Sequence, residues 1–234
     1  MGLVLFTWFL IRGLSMTSEK IILEGVVGSR AYGLATPESD TDIKGIFLYP
    51  TEKILSLQKG KETFSKRDPD IEHHEVEKFI KLAIKCNPTI LEILFLDEYT
   101  KLTEEGKMLV KIRELFLSNK VFYSYGNYAL DQAKKLYKRY AEGNEHTRHE
   151  KHARHCFRLL FQGKELLETK SLTVRLKDPD IFFEISKMEV GDMMKIFASK
   201  YTEFKNIKTD LPENPDYDKI NDVLVKIRRM NINV

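Results

Sequence analysis

Hydrophobic and polar residues follow two different periods along this chain of 234 residues. The first hundred residues contain short apolar or alternating runs separated by turn-forming residues, which is typical of strands. These runs predict strands over 21–27, 41–48, 61–66 and 70–76. Beyond Leu96 the apolar residues recur at helical spacing, which predicts helices. We therefore expect an α+β protein in which a small mixed sheet, flanked by helices, is followed by an all-helical lobe.

The change from strands to helices also predicts how the chain is divided. We place a first domain over 16–118 and a helical substrate-binding domain over 119–234, packed tightly together because no Gly/Ser/Pro linker separates them. The first fifteen residues are strongly apolar and resemble a truncated signal peptide, but they lack a basic n-region and a clear cleavage site. We interpret 1–15 as an upstream extension and Met16 as the true start, with the truncated signal peptide as the alternative.

Composition narrows the class of protein without identifying a partner. The chain has 42% hydrophobic and 31% charged residues, as in ordinary soluble globular proteins. Its net charge of +3 is too small to indicate a nucleic-acid partner by itself. Cys86 and Cys156 are too few for a disulfide framework, so we expect reduced packing residues of a cytoplasmic protein. No stretch approaches the roughly 20 apolar residues that a membrane span requires.

The stretch from Gly28 to Phe47 contains the residues most directly tied to a chemistry. Gly28 follows an apolar run, and because it has no Cβ it lets the backbone turn sharply and approach a ligand closely. Free amides at the start of a following helix, with the Ser29 hydroxyl, can hold phosphate oxygens. Asp40 and Asp42 would share one face of a strand. Two such carboxylates repel unless a cation lies between them, and Mg²⁺ suits oxygen ligands.

The segment GSRAYG, followed by SDTD and a second apolar run, resembles the nucleotidyltransferase superfamily of the DNA polymerase β type. The stretch over 28–47 resembles the RlaP branch, the RNA-repair-associated polymerase-β-like proteins, and the resemblance covers most of residues 20–200. It implies a nucleotidyltransferase fold in the N-terminal half and two Mg²⁺ ions, or Mn²⁺, at Asp40 and Asp42. Residues of this stretch assigned to phosphate binding are Gly28, Ser29, Arg30 and Ser39.

The superfamily usually takes a third carboxylate from a neighbouring strand, and Asp70 and Glu72 both qualify. They lie two residues apart and so on one face of the predicted fourth strand. The RlaP-like pattern favours Asp70, whereas the position of Asp70 beside Pro69 at the strand edge favours Glu72. We keep both as candidate catalytic residues and place Asp70 first, also as a metal ligand. Glu92, which follows an Asn-Pro pair as in the family, is open to a binding role or to a structural, helix-capping one.

Four histidines recur every three residues in the middle of the helical half. The zinc motif H-E-x-x-H is excluded because the residue four positions after His149 is alanine. Lys151, His152 and His155, with Arg158, resemble a helical signature of RlaP-like proteins. Positions 152, 155 and 158 drift by about 60° per step on a helix and could line a curved groove. We therefore assign these three to nucleotide or phosphate binding, with a solvated basic helix face as the alternative.

Together these features predict a metal-dependent nucleotidyltransferase that moves a nucleoside monophosphate from an NTP, such as ATP, to a hydroxyl and releases pyrophosphate. The RlaP resemblance and the basic helices favour an RNA end as the acceptor, in RNA repair or processing. Two rivals stay open: a protein-modifying nucleotidyltransferase acting on Tyr or Ser, and an inactive nucleotide- or RNA-binding module. The intact Gly-Ser pair and paired aspartates argue against the inactive module.

Overall fold

The computed structural model describes residues 19–57, 60–143 and 146–232, with only the backbone over 146–148. The predicted extension over 1–15 and the predicted start at Met16 lie outside these residues. Within the described ranges, five strands form one mixed sheet that is flanked by helices and followed by a helical region. The predicted α+β class is confirmed. The strands β1 to β5 are Lys20–Val27, Asp42–Leu48, Thr63–Arg67, Asp70–Glu75 and Lys101–Leu102.

The order of strands in the sheet is β3-β4-β2-β1-β5. β2 and β4 run parallel, whereas the other neighbouring pairs are antiparallel. The register places Asp42 beside Asp70 and Lys44 beside Glu72. Side chains two residues apart on a strand share a face, so these four residues lie together on one side of the sheet. The strand β5 was not predicted, since two residues are too few for a periodic pattern.

Helices account for most of the remaining described chain, and α2 is a short one that the sequence pattern did not predict. The helices α1 to α10 are Gly28–Tyr32, Thr51–Leu55, Val76–Ala83, Pro88–Leu94, Glu104–Lys111, Lys120–Ala141, His146–Thr169, Asp180–Ser186, Val190–Lys205 and Tyr217–Met230, with a 3₁₀ helix at Arg113–Phe116. The boundary between α3 and α4 has a local cause. The Asn87 side chain accepts a hydrogen bond from the Thr89 amide at 3.1 Å and caps α4, whose first residue is Pro88.

One hydrophobic cluster joins the sheet to the helices on both sides of Ser118. It contains Phe79 beneath the sheet and extends through Phe116 to Leu136 and Leu160 in α6 and α7. Cys86 and Cys156 are free and buried. Because the two halves share this core, the rotation of α7 about its axis is fixed relative to the end of the sheet where β2 and β4 begin.

The last helix returns to the N-terminal part of the fold. The Thr51 hydroxyl donates to the Arg228 carbonyl at 2.7 Å, and the Arg228 guanidinium pairs with Glu75 at 2.6 Å. Among the described residues, no helix is both long enough and apolar enough to cross a membrane.

Candidate active site

Three aspartates converge where β2 and β4 begin. Asp42 and Asp70 are the first residues of these parallel strands and are directly paired, and Asp40 precedes β2 by two residues. All three line a cavity of about 810 Å³. The local alternation of β2 and the register between two strands together place these carboxylates at one end of the sheet. The three acids that the sequence analysis proposed as metal ligands are therefore brought together.

The charges in this group act on one another. Burial raises the pKa of Asp42, and the negative charge of Asp70 raises it further, with a smaller contribution from Asp40. The cations Lys151 and Lys44 act in the opposite direction and do not cancel the shift. A carboxyl whose charged form is disfavoured in this way gains from a cation placed beside it. The donor set consists of oxygens only, which is the set that Mg²⁺ prefers.

Glu72 differs from Asp70 although both lie on the same face of β4. Its carboxylate accepts a hydrogen bond from the Lys44 ammonium at 2.9 Å, and the His74 ring lies 3.8 Å away. Burial raises the pKa of Glu72, but the bond and charge of Lys44 outweigh it and the pKa is lowered. The charge of Glu72 is thus compensated within the sheet, whereas the charge of Asp70 acts on Asp42.

The turn between β1 and α1 lies directly against the carboxylates. Gly28 has φ +69°, a left-handed conformation that favours glycine. A Cβ at this position would lie 2.2 Å from Oδ2 of Asp42, far inside contact distance. Glycine is required here both by the backbone angle and by the neighbouring carboxylate. Gly28 and Ser29 both line the cavity, as expected of a phosphate turn.

Arg30 and Ser39 hold the loop that carries Asp40. The Arg30 guanidinium donates to the Ser39 carbonyl at 2.6 Å and to the Asp40 carbonyl at 3.3 Å. The Ser39 hydroxyl accepts from the Thr36 amide at 2.8 Å. Ser39 lines the cavity, whereas Arg30 is absent from the described lining. The contacts of both residues position a loop, and their assignment to phosphate binding stays a prediction.

The helical half reaches the cavity through one face of α7. Lys151, Arg154, His155 and Arg158 line it, at the i, i+3, i+4 and i+7 positions of a single helical stripe. His152 lies beside this stripe and contacts α6. Sequence reasoning chose residues three apart, so it left Lys151 of the family-like signature out of the binding assignment and missed Arg154. The ordinary helical spacing, applied to polar residues, is the signal that finds them.

Two of the lining cations differ in how they are held. Arg154 pairs with Glu150 at 3.1 Å and donates to the Ser186 hydroxyl at 3.2 Å. Lys151 is exposed and, over the residues that the structure describes, has no carboxylate within ion-pair distance. Its charge acts on Asp42 across the cavity. Lys151 is therefore the cation best placed to meet an anionic ligand between the two halves.

Arg158 belongs to a buried cluster that ties α1 to α4 and α7. Its guanidinium stacks on the Tyr32 ring, 3.8 Å from the centroid, and donates to Gln162. The Tyr32 hydroxyl donates in turn to Glu92. Burial raises the pKa of Glu92, which lies inside α4 and is therefore not its cap. Burial and Arg158 lower the pKa of His155 to about 2, so this ring stays uncharged at neutral pH.

Within the described ranges, no three His, Cys, Asp or Glu side chains form a metal cage by themselves. Mg²⁺ commonly takes one or two carboxylates and completes its octahedron with water and substrate phosphates. The raised pKa of Asp42 shows that its charge is incompletely compensated, and two aspartates adjoin it. The residues present therefore fit an open magnesium site that a bound nucleotide completes.

The sequence profile of the RlaP family, described as the RNA repair pathway DNA polymerase beta family, matches residues 13–179, well over half of the chain. The chain belongs to the RlaP family. This confirms the resemblance seen in the Gly-Ser and Asp-x-Asp stretch. Membership of this polymerase-β branch suggests nucleotidyltransferase activity, and proteins of this kind generally use divalent metals, NTPs and nucleic acids.

Two curated relatives resemble parts of this RlaP protein. An uncharacterized 38.9 kDa protein of the nrdC-mobD intergenic region of Enterobacteria phage T4 is 35% identical over 85 residues, which cover 32% of this chain and 25% of the relative. The uncharacterized protein YcgL of Bacillus subtilis is 29% identical over 133 residues, covering 54% of this chain and 49% of YcgL. The chain thus spans about half, or less, of the curated relatives it matches.

Proposed function

We propose that this RlaP protein transfers a nucleoside monophosphate from an NTP to a hydroxyl at an RNA end and releases pyrophosphate. The observation that carries the proposal is the pairing of Asp42 with Asp70 across parallel strands, with Gly28 directly against Asp42. The Gly28-Ser29 turn and the three aspartates line the same cavity, which supports a site for a phosphate beside a metal. The family's connection with RNA repair supports RNA as the acceptor.

The phosphates of the NTP would lie between the two halves of the fold. Gly28 and Ser29 would hold the β- and γ-phosphates through backbone amides and the serine hydroxyl. Lys151 would meet the same phosphates from α7, because its ammonium is exposed and unpaired in the described region. A cavity of about 810 Å³ is within the range that small-molecule sites occupy.

Asp40, Asp42 and Asp70 are the residues that would hold Mg²⁺, or Mn²⁺ in its place. Two such ions, when bound, would stabilise the charge on the incoming and leaving oxygens of an in-line displacement. Lys44 keeps the neighbouring Glu72 paired, so Glu72 supports the sheet beside this group.

The acceptor hydroxyl would attack the α-phosphorus of the NTP. One bond forms between the acceptor oxygen and the α-phosphorus, and the bond from the α-phosphorus to the bridging oxygen of pyrophosphate breaks. Asp70 would receive the hydroxyl proton; this role is supported by its position on the same face as Asp42 and by the absence of a partner for it among the described ion pairs. General-base assistance of this kind typically contributes about 10²- to 10⁴-fold in rate.

The test is incubation of the full chain with each α-³²P-labelled NTP, Mg²⁺ and either RNA or cell extract. Label on RNA supports the proposal. Label on protein would show a protein-modifying enzyme, and NTP binding with no transferred label would show an inactive binding module. Asp40→Ala and Asp42→Ala should each abolish transfer, and survival of activity in either would overturn the site assignment.

A further inference from the structure

A polar seam leads away from the cavity between α6 and α7. The rings of Tyr128 and His155 lie edge to face with centroids 5.0 Å apart. One turn further along α6, Gln132 Oε1 lies 2.8 Å from Nδ1 of His152. A later residue of α6 meets an earlier residue of α7, so the two helices run in opposite directions. His155 lines the cavity and His152 lies beyond its described lining, so this row of contacts leads outward.

Three cations follow this row, and together they form what we call the basic seam: Lys135, Arg139 and Lys151. Lys135 and Arg139 come three and seven residues after Gln132, and therefore lie on the same side of α6. Lys151 precedes His152 and lines the cavity. All three charges act on His152, whose pKa is lowered by burial first and then by these cations. The seam thus starts at the cavity wall and continues outside it.

The charges of the basic seam are uncompensated in the part of the chain that the structure describes. The described ion pairs include none of its three members. By contrast, Lys134 and Lys138 on the outer side of α6 each lie 3.8 Å from an acid: Asp131 of the same helix and Glu142 directly after it. Clustered cations that form no ion pair repel one another, and an anionic ligand relieves that repulsion.

The position of the seam indicates what kind of anion fits. An NTP held at Gly28 and the aspartates would meet Lys151, but Lys135 and Arg139 lie outside the described lining of the cavity. A ligand that reaches the carboxylates and also contacts these outer cations must carry phosphates along its length. A nucleic-acid strand has this property, and its end must be unpaired to bring one hydroxyl into the cavity.

We propose that the basic seam binds consecutive phosphates of a single-stranded RNA end and leads its terminal hydroxyl to Asp70. This inference rests on the function proposed above, and it adds the surface on which the acceptor lies. Each phosphate contact to a single strand contributes a slope of about −0.7 in log affinity against log salt concentration. Two contacts, at Lys135 and Arg139, would therefore account for about 25-fold in affinity at about 0.1 M salt.

The experiment compares two double variants of the full chain. The seam variant is Lys135→Gln with Arg139→Gln, and the matched control is Lys134→Gln with Lys138→Gln. Both remove two positive charges from exposed or half-buried positions of α6 and introduce a residue that tolerates a helix, so the folded state and the net charge stay comparable. Lys151 is left intact because it also faces the NTP site.

Binding of a fluorescein-labelled single-stranded RNA is measured by anisotropy, without NTP, from about 50 to about 200 mM salt. We expect the seam variant to lose about 25-fold in affinity at about 0.1 M salt and its salt slope to fall by about 1.4. The control should stay within about twofold, because its lysines are already paired. Equal losses in both variants, or no loss in either, would overturn the proposal.

A kinetic measurement separates this inference from the proposed function. In nucleotide transfer to RNA, the seam variant should raise KM for RNA and leave KM for the NTP, measured at saturating RNA, within about twofold. An unchanged KM for RNA in an enzyme that does label RNA refutes the seam alone. A wild-type protein that binds RNA through the seam, yet transfers no nucleotide to it, refutes the function alone.

Discussion

Asp70 and Glu72 lie two residues apart on one strand, and their removal should change stability in opposite directions. Asp70→Asn removes a negative charge that acts on Asp42, whose pKa is raised by burial and then by Asp70. Glu72→Gln removes the partner of Lys44, which lies 2.9 Å away. At pH 7, without metal, we therefore expect Asp70→Asn to stabilise the protein and Glu72→Gln to destabilise it.

The size of the first effect follows from the sheet geometry. Paired residues of neighbouring strands are about 4.8 Å apart, so the two carboxylates repel by about 3.5 kcal/mol at an effective dielectric constant of 20 and about 0.9 kcal/mol in bulk water. Asp70 is exposed and Asp42 is half-buried, which favours the lower end, about 1 kcal/mol. For a chain of this length that corresponds to a rise in Tm of about 2–4 °C.

The Glu72→Gln control should lower Tm by a similar or smaller amount. The Glu72 side chain is 37% exposed, so its pair with Lys44 is screened by solvent and contributes at most about 1 kcal/mol. The two variants also differ in catalysis. Asp70→Asn should reduce nucleotide transfer by at least about 100-fold, the lower range for loss of a general base, whereas Glu72→Gln should reduce it far less.

The assay is thermal unfolding followed by circular dichroism at pH 7, in EDTA and again with Mg²⁺, alongside nucleotide transfer. Wild type should gain more stability from Mg²⁺ than Asp70→Asn, because a ligand that binds the folded state more tightly raises Tm further at the same concentration. A lower Tm for Asp70→Asn in EDTA would refute the repulsion between the two aspartates. Full activity in the same variant would refute the assignment of the third carboxylate.

Two further predictions concern a glycine and a buried carboxylate. Gly28→Ala should lower the free energy of unfolding, measured in urea, by about 1–2 kcal/mol because alanine disfavours the left-handed backbone. Its Cβ would also displace Asp42, which should lower the rate of nucleotide transfer by about 100-fold. Burial raises the pKa of Glu105, but hydrogen bonds from Lys20 and Asn231 help to lower it to about 2. The ionised Glu105 carboxylate should therefore stabilise the folded state by about 1–2 kcal/mol, a reduced value because Lys20 is partly exposed to solvent. This stabilisation should be complete above about pH 4.5 and lost as the pH falls towards 2. In Glu105→Gln, the free energy of unfolding measured in urea should depend less steeply on pH than in the wild type.

The site shows where sequence reasoning is sufficient and where it stops. The Gly28 turn and the spacing of Asp40 and Asp42 depend on neighbours in the chain, so their pattern could be recognised before any fold was known. The different surroundings of Asp70 and Glu72 could not be recognised in this way, and the choice of Asp70 as third carboxylate stays a prediction. Their difference depends on Lys44, 28 residues away, which reaches Glu72 only because β2 and β4 pair in one register.

The sequence by itself determined the α+β class, the glycine turn before the aspartates, the spacing of those aspartates and the RlaP family, because each follows from local spacing or from a contiguous motif. Tertiary structure alone decided which carboxylate stays uncompensated beside Asp42 and which stripe of α7 faces it. That Lys151 and Arg154 line the cavity was not predicted, for the same reason. The rotation of a helix about its axis is set by the core packed beneath it, and that core is assembled from residues distant in the chain.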